Sequence, residues 1–541
     1  METPTCDSSR ESILSEGTAS VIPDDTFPKR TTLGNEDEAS RVPSLAEHSK
    51  AAQGSEAAEP PSSPSKHGQP QPYSIFSRRQ KAFLVAMAAW SASFSGISSN
   101  IYFPALSQIS SNLGVSIELA NLTVTLYLIF QGLSPSFWAP ISDRLGRRLV
   151  ILSTFIVYLG ACVGLGLTRS FAQLAVLRCV QSTGSASSVA IGAGIVGDIA
   201  SREERGGYMG IFSAGLLLST AVGPVIGGAM AETVGWRAIF WFLTAYAGVF
   251  IAMVAVFLPE TLRSLVGNGS VAPASPWMLC PAQRLWTPTA ADIERSPRLA
   301  GTTEEKPSGK PKLQLDFLLR PVKLIFRGNV SLSVFYLAIH YSIWQMTITA
   351  MSSLFASSYG LTEMQIGITY IANGGGCILG SLFIGKVLDV DYARVEKRSE
   401  ARRQPVNLAK ARLRLTWIYS LVQGGSTIVF GWTIARRVHI SVPIIVTFLI
   451  SASSTSIQTA VNTYLVDTNP SDAASVTASL NLARCLLGAG ATAAVAPIIR
   501  AIGAGWTFTI ATCVLVVSNA IILAQLRLQR TKPKIRSDLL A

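Results

Sequence analysis

The chain has 541 residues, of which 49% are hydrophobic and 14% are charged, and its formal net charge is +13. Soluble domains carry about 25% charged residues, so this composition excludes an ordinary soluble protein. The positive charge does not indicate a nucleic-acid partner, because the basic residues are distributed among the segments that separate long apolar runs.

Residues 1–72 are rich in Ser, Glu, Pro and Ala and have no apolar periodicity. Such a segment buries too little apolar surface to offset the entropy lost on ordering. We predict a disordered cytoplasmic tail here. The alternative is a regulatory segment that is controlled by phosphorylation.

Apolar runs recur along the rest of the chain, each about 20 residues long and therefore able to cross a bilayer as a helix. We predict an all-α polytopic membrane protein with twelve transmembrane helices in two six-helix bundles. The predicted spans are 82–104, 119–139, 149–168, 171–198, 207–230, 237–258, 328–351, 364–386, 414–435, 440–464, 473–499 and 504–526.

The run 262–327 is basic, contains several prolines and has no spanning stretch, which predicts a cytoplasmic linker. It separates an amino-terminal bundle, 73–261, from a carboxy-terminal bundle, 328–526, which is followed by a tail, 527–541. Lys and Arg concentrate in alternate loops, and this bias places both termini in the cytoplasm. No targeting signal is recognisable, so the plasma membrane is the predicted location and the vacuolar membrane is the alternative.

The junction between the second and third spans carries a carboxylate, a glycine and three arginines: Asp143, Arg144, Gly146, Arg147 and Arg148. Arg147 follows Asp143 by four residues, a spacing that allows an ion pair on a helix. At an interface between bundles, contacts of this kind would bias one access state over another, and we predict a conformational switch. The alternative is that the arginines only fix the topology.

The fourth span contains Arg178, followed by Gln181 and Gly184, and Asp198 lies at its end. A charge within a span is costly and is a functional hypothesis by default. The alternative is a structural arginine that is bonded to backbone carbonyls.

The fifth span contains a series of small residues around a proline: Gly210, Ser219, Gly223, Pro224, Gly227 and Gly228. Glycines let neighbouring helices approach closely, and proline removes one backbone donor and can kink the helix. We predict a tight, dry helix contact that opposes a leak pathway.

These three segments resemble signatures of the major facilitator superfamily. The junction is similar to G-x-L-A-D-R-x-G-R-R, with Ala139 in place of the first glycine. The fourth span is similar to R-x-x-Q-G-x-G, with Ser182 in place of a glycine, and the fifth to the antiporter signature G-x8-G-x3-G-P-x2-G-G, with Ser219 in place of one. With the segments 235–237 and 258–263, the chain is most similar to fungal twelve-span drug:proton antiporters of the quinidine-resistance and dityrosine-exporter branch.

The resemblance implies a monomeric, proton-coupled exporter of small organic molecules that works by alternating access in the lipid bilayer. It implies no cofactor beyond the proton gradient, and a proton-transfer or coupling role for Arg178. The site that takes the proton stays open among Asp198, His340 and a junction carboxylate. The seven cysteines show no metal-ligand spacing, so no metal is predicted, and no nucleophile–base pair or nucleotide loop indicates an enzyme.

Polar and aromatic residues that interrupt the apolar spans are the predicted lining of a substrate cavity. No Asp or Glu lies deep in a span, which favours a neutral or anionic cargo over a cationic one. The lining candidates are Trp90, Asn100, Gln181, Tyr336, His340, Tyr341, Trp344, Gln345, Tyr370, Asn373, Gln458, Asn462, Asn481 and Arg484.

Two other functions stay open, because a fold does not determine the direction of transport or whether transport occurs. One is a facilitative or uptake carrier on the same fold. The other is a non-transporting membrane nutrient sensor, for which the long amino-terminal tail would provide the signalling output.

Overall fold

The computed structural model describes residues 73–201, 203–271, 278–282, 286, 322–401, 408–469 and 473–530. The predicted amino-terminal tail, most of the predicted linker and the end of the carboxy-terminal tail lie outside these residues. Over the described part of the chain the regular structure is helical and contains no strand.

The first helix group begins just before the first predicted span and follows the six amino-terminal predictions closely. Its helices are α1 (Arg78–Asn100), α2 (Leu106–Leu113), α3 (Ile117–Leu145), α4 (Arg147–Gly166), α5 (Phe171–Ile199), α6 (Arg205–Thr233), α7 (Arg237–Phe257) and α8 (Arg263–Val266). The short helices α2 and α8 were not predicted.

The second helix group covers the six carboxy-terminal predictions. Its helices are α9 (Gly328–Tyr359), α10 (Glu363–Ala401), α11 (Leu408–Leu413), α12 (Thr416–Ala435), α13 (Ser441–Thr468) and α14 (Ala473–Arg530). α14 contains the last two predicted spans, and the backbone breaks between them at Gly503, whose φ is 79°. α10 continues about four turns beyond its predicted span.

Local signals explain several helix ends. The Ser77 hydroxyl accepts from the Gln80 amide while the Gln80 side chain accepts from the Ser77 amide, which is a capping box at the start of α1. Ser116 and Ser170 cap α3 and α5 in the same position. α2 and α9 end at Gly114 and Gly360, which adopt the left-handed conformation that glycine tolerates.

Within the part of the chain that the structure describes, eight helices are long and apolar enough to cross a membrane, as judged by length and composition. The long helices α5, α9 and α12 are more polar. Their polar groups face other helices: four serines of α5 (Ser182, Ser185, Ser187 and Ser188) are fully buried. The helices, with the break at Gly503, are consistent with twelve spans, and the chain is an all-α polytopic membrane protein.

Within the first group, α1 packs on α5 and α6, and α5 packs on α3 and α4. Within the second group, α14 packs on α9 and α12, and α13 packs on α10 and α12. The two groups meet through α6 against α10 and α3 against α14. The predicted domain boundaries stay predictions, because most of the linker lies outside the described residues.

Candidate functional site

The junction between α3 and α4 is organised by a carboxylate that lies far away in the sequence. Glu260 is 3% exposed, and its oxygens accept from the backbone amides of Arg147 at 2.8 Å and Arg148 at 3.2 Å. They also accept from the amides of Thr261 and Leu262, each at 3.0 Å. Gly146 has a φ of +99°, and any side chain there would collide with Glu260. The carboxylate therefore joins the turn before α4 to the end of α7.

Arg147 joins three helices at the same place. Its guanidinium lies 2.6 Å from Asp143, which confirms the predicted pair, and 3.1 Å from Asp198 at the end of α5. It also donates to the Ser142 hydroxyl at 2.7 Å. Asp198, predicted as a proton-coupling residue, is thus the partner of a junction arginine.

The other two junction arginines are placed differently. Arg148 donates to the carbonyls of Val254 at 2.9 Å and Ala255 at 2.7 Å, and also to that of Leu258. A cation at this position is favourable because carbonyl oxygens give the carboxyl end of α7 a partial negative charge. Arg144 is half-buried.

The segment before α1 is attached to the same end of the molecule. The Tyr73 hydroxyl and the Arg205 guanidinium both donate to the Gly197 carbonyl at 3.0 Å. Lys81 lies 2.6 Å from Glu204, and this hydrogen bond lowers the pKa of the Glu204 carboxyl below its usual value. We call the side of the molecule that includes Gly146 the junction end. The opposite side, which includes Gly503, is the far end.

The Arg147 guanidinium lies over a glycine of α5, and this contact gives a test of the junction. A methyl group at Gly194 would stand 2.7 Å from the guanidinium carbon, whereas one at Gly197 would meet nothing within 4 Å. We expect Gly194→Ala to weaken the pairs with Asp143 and Asp198 and to lower the free energy of unfolding by about 1 kcal/mol. Thermal unfolding in detergent measures this, with Gly197→Ala as the matched control. Equal midpoints for the two variants would contradict the assignment.

α6 presents two faces of small residues to two different helices. On one face, a methyl group at Gly215 would collide with the backbone of Ala89 in α1, and one at Gly227 with the carbonyl of Ile101, which directly follows α1. Gly223 lies on this face too, with the Ile97 Cα of α1 3.5 Å from the position of a Cβ. Gly210, although part of the pattern, has open space around it.

The second face of α6 lies against α10, in the other helix group. A side chain at Gly228 would collide with the Glu363 carbonyl, and one at Gly367 would stand 2.5 Å from the Pro224 carbonyl. Glu232, one turn further, accepts from the Met364 amide at 2.9 Å. The structure thus has close helix contacts at Gly227 and Gly228, and the one at Gly228 crosses between the groups toward the far end. That these contacts oppose a leak stays a prediction.

Arg178 is completely buried between two aromatic rings. Its guanidinium carbon lies 4.4 Å from the ring centre of Tyr102 and 4.3 Å from that of Tyr127. It donates to the Gln181 side chain at 2.7 Å and to the Ser98 carbonyl at 3.2 Å. Among the described residues no carboxylate lies within 4 Å of it, so the rings and neutral oxygens hold the charge.

His340 is also fully buried, on α9 in the second helix group. Its Nδ1 lies 2.8 Å from the Gln423 side-chain oxygen, which can only accept, so Nδ1 carries the proton of the neutral ring. Its Nε2 lies 3.3 Å from the Ser518 hydroxyl. Tyr336, also predicted as a lining residue, packs on the same ring, and its hydroxyl donates toward Thr416 of α12 and Asn519 of α14, each at 3.4 Å.

A third cluster lies around Arg484 on α14. Its guanidinium donates to the Asn481 side-chain oxygen at 2.9 and 3.2 Å and to that of Gln458 at 3.1 Å. Its carbon lies 5.2 Å from the ring centre of Tyr341. Asn481 in turn donates to the Gln131 carbonyl of α3 at 3.2 Å. The structure thus joins four predicted lining residues in one cluster.

A fourth cluster adjoins it. The Trp344 indole, 5.4 Å from the Tyr341 ring, donates to Asn373 at 2.9 Å and to the Ser451 hydroxyl at 3.2 Å. Gln345 is buried near Gly488, one turn of α14 beyond Arg484. Tyr370 stacks on Phe103 of the first group, at the far end.

The remaining candidates are not brought together. Trp90 packs against Tyr246 and Phe250 within the first group. Asn100 donates to a carbonyl of its own helix, and Asn462 is exposed. Their contact with a substrate stays a prediction.

The sequence analysis missed several residues on which these clusters depend. They are Tyr127, Gln131, Gln423, Ser451 and Glu260. Only Glu260 carried a signal, since it follows an apolar span within a segment that the family resemblance already included.

The family model of the Major Facilitator Superfamily matches residues 88–493 of this chain. The chain belongs to this superfamily. Similar members include Citrate exporter 1 of Aspergillus niger, 36% identical over 84% of this chain and 87% of that protein. MFS antiporter QDR2 of Candida albicans is 34% identical over 81% of this chain and 87% of that protein. The superfamily consists of transporters, so the chain is a transporter of a fungal antiporter-like branch and not an enzyme.

Solved structures agree with this fold. A transporter of the POT family in complex with a thioalcohol-conjugated peptide superposes with a TM-score of 0.60, at 16% identity, over 83% of this chain and 96% of that one. A bacterial homologue of the lysosomal transporter Spinster, in an inward-facing and unoccupied conformation, gives 0.54 at 14% identity over 85% and 100%. These likenesses concern the fold alone.

Proposed function

We propose that this chain exports small organic molecules in exchange for protons, by alternating access between its two helix groups. The observation that carries the proposal is the two-faced packing of α6, with one face on α1 and the other on α10 across the groups. A helix shared in this way can transmit movement of one group to the other. The similar proteins described above, an exporter and an antiporter, support the same direction of transport.

Within this proposal, Asp198 rather than His340 takes the coupled proton. Its carboxylate is paired with Arg147 at a site that joins α3, α4 and α5. Protonation would remove the negative charge that holds Arg147, and this would loosen the junction. The ring nitrogens of His340 lie beside two neutral side chains, Gln423 and Ser518, and a second proton would place a charge in a fully buried site.

The role we propose for Arg178 is to hold a fixed positive charge beside α1. The charge rests on Tyr102 and Tyr127 and on oxygens of Ser98 and Gln181, so a small change in the position of α1 changes its environment. We also propose that both termini lie in the cytoplasm, that the protein resides in the plasma membrane and that it is monomeric.

The test is transport by purified protein in vesicles with an imposed pH gradient, with internal pH followed by a dye. A mixed panel of drugs and organic acids serves as cargo. We expect cargo-dependent proton movement in the wild type and at least about a tenfold loss in Arg178→Gln, since hydrogen bonds of a charged group contribute about 1.5–3 kcal/mol. Arg178→Lys keeps the charge but not the planar stacking, and we expect an intermediate rate.

Three outcomes would decide against the proposal. Cargo movement without proton flux indicates a facilitative carrier, and cargo movement in the same direction as the protons indicates uptake. A protein that binds compounds and moves none of them indicates a sensor.

A further inference from the structure

We propose that Arg484 is the binding site for a carboxylate group of the cargo, and hence that the exported molecules include organic anions. This inference rests on the export function proposed above. Arg484 differs from Arg178 in its solvent exposure. Arg178 is fully enclosed, whereas Arg484 is only half-buried.

The position of Arg484 makes its charge significant. It lies eleven residues into α14, which at 1.5 Å per residue is about 16 Å from the start of the helix. Among the described residues no carboxylate lies within 4 Å of it. A guanidinium at this depth is costly unless an anion or several acceptors compensate it.

The acceptors that Arg484 has are neutral. A guanidinium offers five N–H donors, and within the described part of the chain its oxygen acceptors are the amide oxygens of Asn481 and Gln458, with the neutral Cys485 thiol also in hydrogen-bonding contact. Amide side chains can rotate, and a carboxylate would replace them with two charged oxygens in the geometry that arginine prefers. The cluster is therefore able to exchange its neutral acceptors for an anion.

A second, independent group points to the same place. The Gln345 side-chain nitrogen is buried and has no hydrogen-bond partner among the residues that the structure describes. Gln345 and Tyr341 both pack against Gly488, one turn of α14 from Arg484, and Tyr341 lies under the guanidinium. A buried amide donor without a partner costs about 1–3 kcal/mol, and a carboxylate oxygen beside Arg484 would supply its acceptor.

Binding at this cluster would also reach the contact between the helix groups. Asn481 accepts from Arg484 through its oxygen and donates through its nitrogen to the Gln131 carbonyl of α3. A carboxylate that takes Arg484 from Asn481 frees that side chain to turn. The link between α14 and α3 then depends on whether the anion is bound.

The test compares carboxylates with neutral molecules of similar shape. Purified wild type, Arg484→Gln and Arg484→Lys are heated with benzoate, succinate or citrate and with the corresponding amides, and the unfolding midpoint is followed. Competition by the same compounds is measured in the vesicle assay. Arg169→Gln, which makes the same charge change at an exposed position, is the matched control.

We expect at least one carboxylate, and not its amide, to raise the midpoint of the wild type and the control. In Arg484→Gln the apparent affinity should fall by roughly 10- to 100-fold, as expected for the loss of a charged hydrogen-bonding group, and Arg484→Lys should recover part of it. Export of neutral cargo should change much less in Arg484→Gln than export of acids.

Two results would overturn the inference. One is an equal response to carboxylates in the wild type and in Arg484→Gln, which leaves the export function intact. The other is an equal loss of neutral and acidic cargo in a folded Arg484→Gln, which indicates a structural role. Failure of the export function is distinguishable, because the wild type would then move no compound of either kind.

Discussion

Replacement of Glu260 by alanine is expected to destabilise the protein by about 3–5 kcal/mol, the range for removing one partner from a buried charged network. The carboxylate accepts four backbone amides, two at the start of α4 and two just after α7. Alanine would leave these donors buried and without an acceptor. We therefore expect the junction end to open before the rest of the molecule unfolds.

The measurement is thermal unfolding of the purified protein in detergent, together with the folded fraction recovered from membranes. Glu203→Ala is the control, since Glu203 is exposed in the loop before α6 at the same end of the molecule. Glu260→Gln separates shape from charge, because its amide nitrogen would face an N–H group. If Glu260→Ala unfolds at the same temperature as Glu203→Ala, the carboxylate does not hold the junction.

Local spacing was enough to predict one contact at this junction. Asp143 and Arg147 are one helical turn apart, so their pair follows from helix geometry alone. Asp198 and Glu260, which complete the site, lie 51 and 113 residues from Arg147 in the chain. A single sequence carries no signal for contacts at such separations, because they depend on how the helices pack.

The spans could be predicted from the sequence for a related reason, whereas the lining of the cavity could not be predicted from the periodicity of one helix. Long apolar runs must form helices in a bilayer whatever their neighbours are. Tyr336, His340 and Trp344 recur at intervals of four residues on α9, which predicts a stripe that lines one cavity. The structure instead gives Tyr336 and His340 partners on α12 and α14, and gives Trp344 partners on α10 and α13.

The burial of α9 explains this difference. Nearly all of its side chains are buried or half-buried, with Ser357 the exposed exception within 330–359. On such a helix a polar stripe marks contacts with neighbouring helices as readily as a water-filled path. The Arg484 cluster, by contrast, draws on residues from α9, α13 and α14, which no periodicity within one helix could have united.

Substitution of Gly228 by leucine is expected to reduce transport by at least about 100-fold while the protein stays folded. The leucine would collide with the Glu363 carbonyl where α6 and α10 meet across the helix groups. Overpacking of a close contact costs about 1–3 kcal/mol. We expect a cost at the upper limit or above it, and it would destabilise the access state in which α6 and α10 are in contact at the far end. At 1.4 kcal/mol per tenfold change, the population of this state would fall about a hundredfold.

Gly210→Leu provides the matched control on the same helix. Gly210 belongs to the same sequence pattern, yet it is exposed and has open space where a side chain would stand. We expect this variant to transport at nearly the wild-type rate, because a leucine there adds apolar surface outside the contacts with α1 and α10. Vesicle transport measures both variants, and size-exclusion chromatography checks that each is folded. Equal losses of transport in the two variants would mean that the glycine pattern acts through α6 itself. Normal transport by Gly228→Leu would mean that the α6–α10 contact never has to close during the cycle.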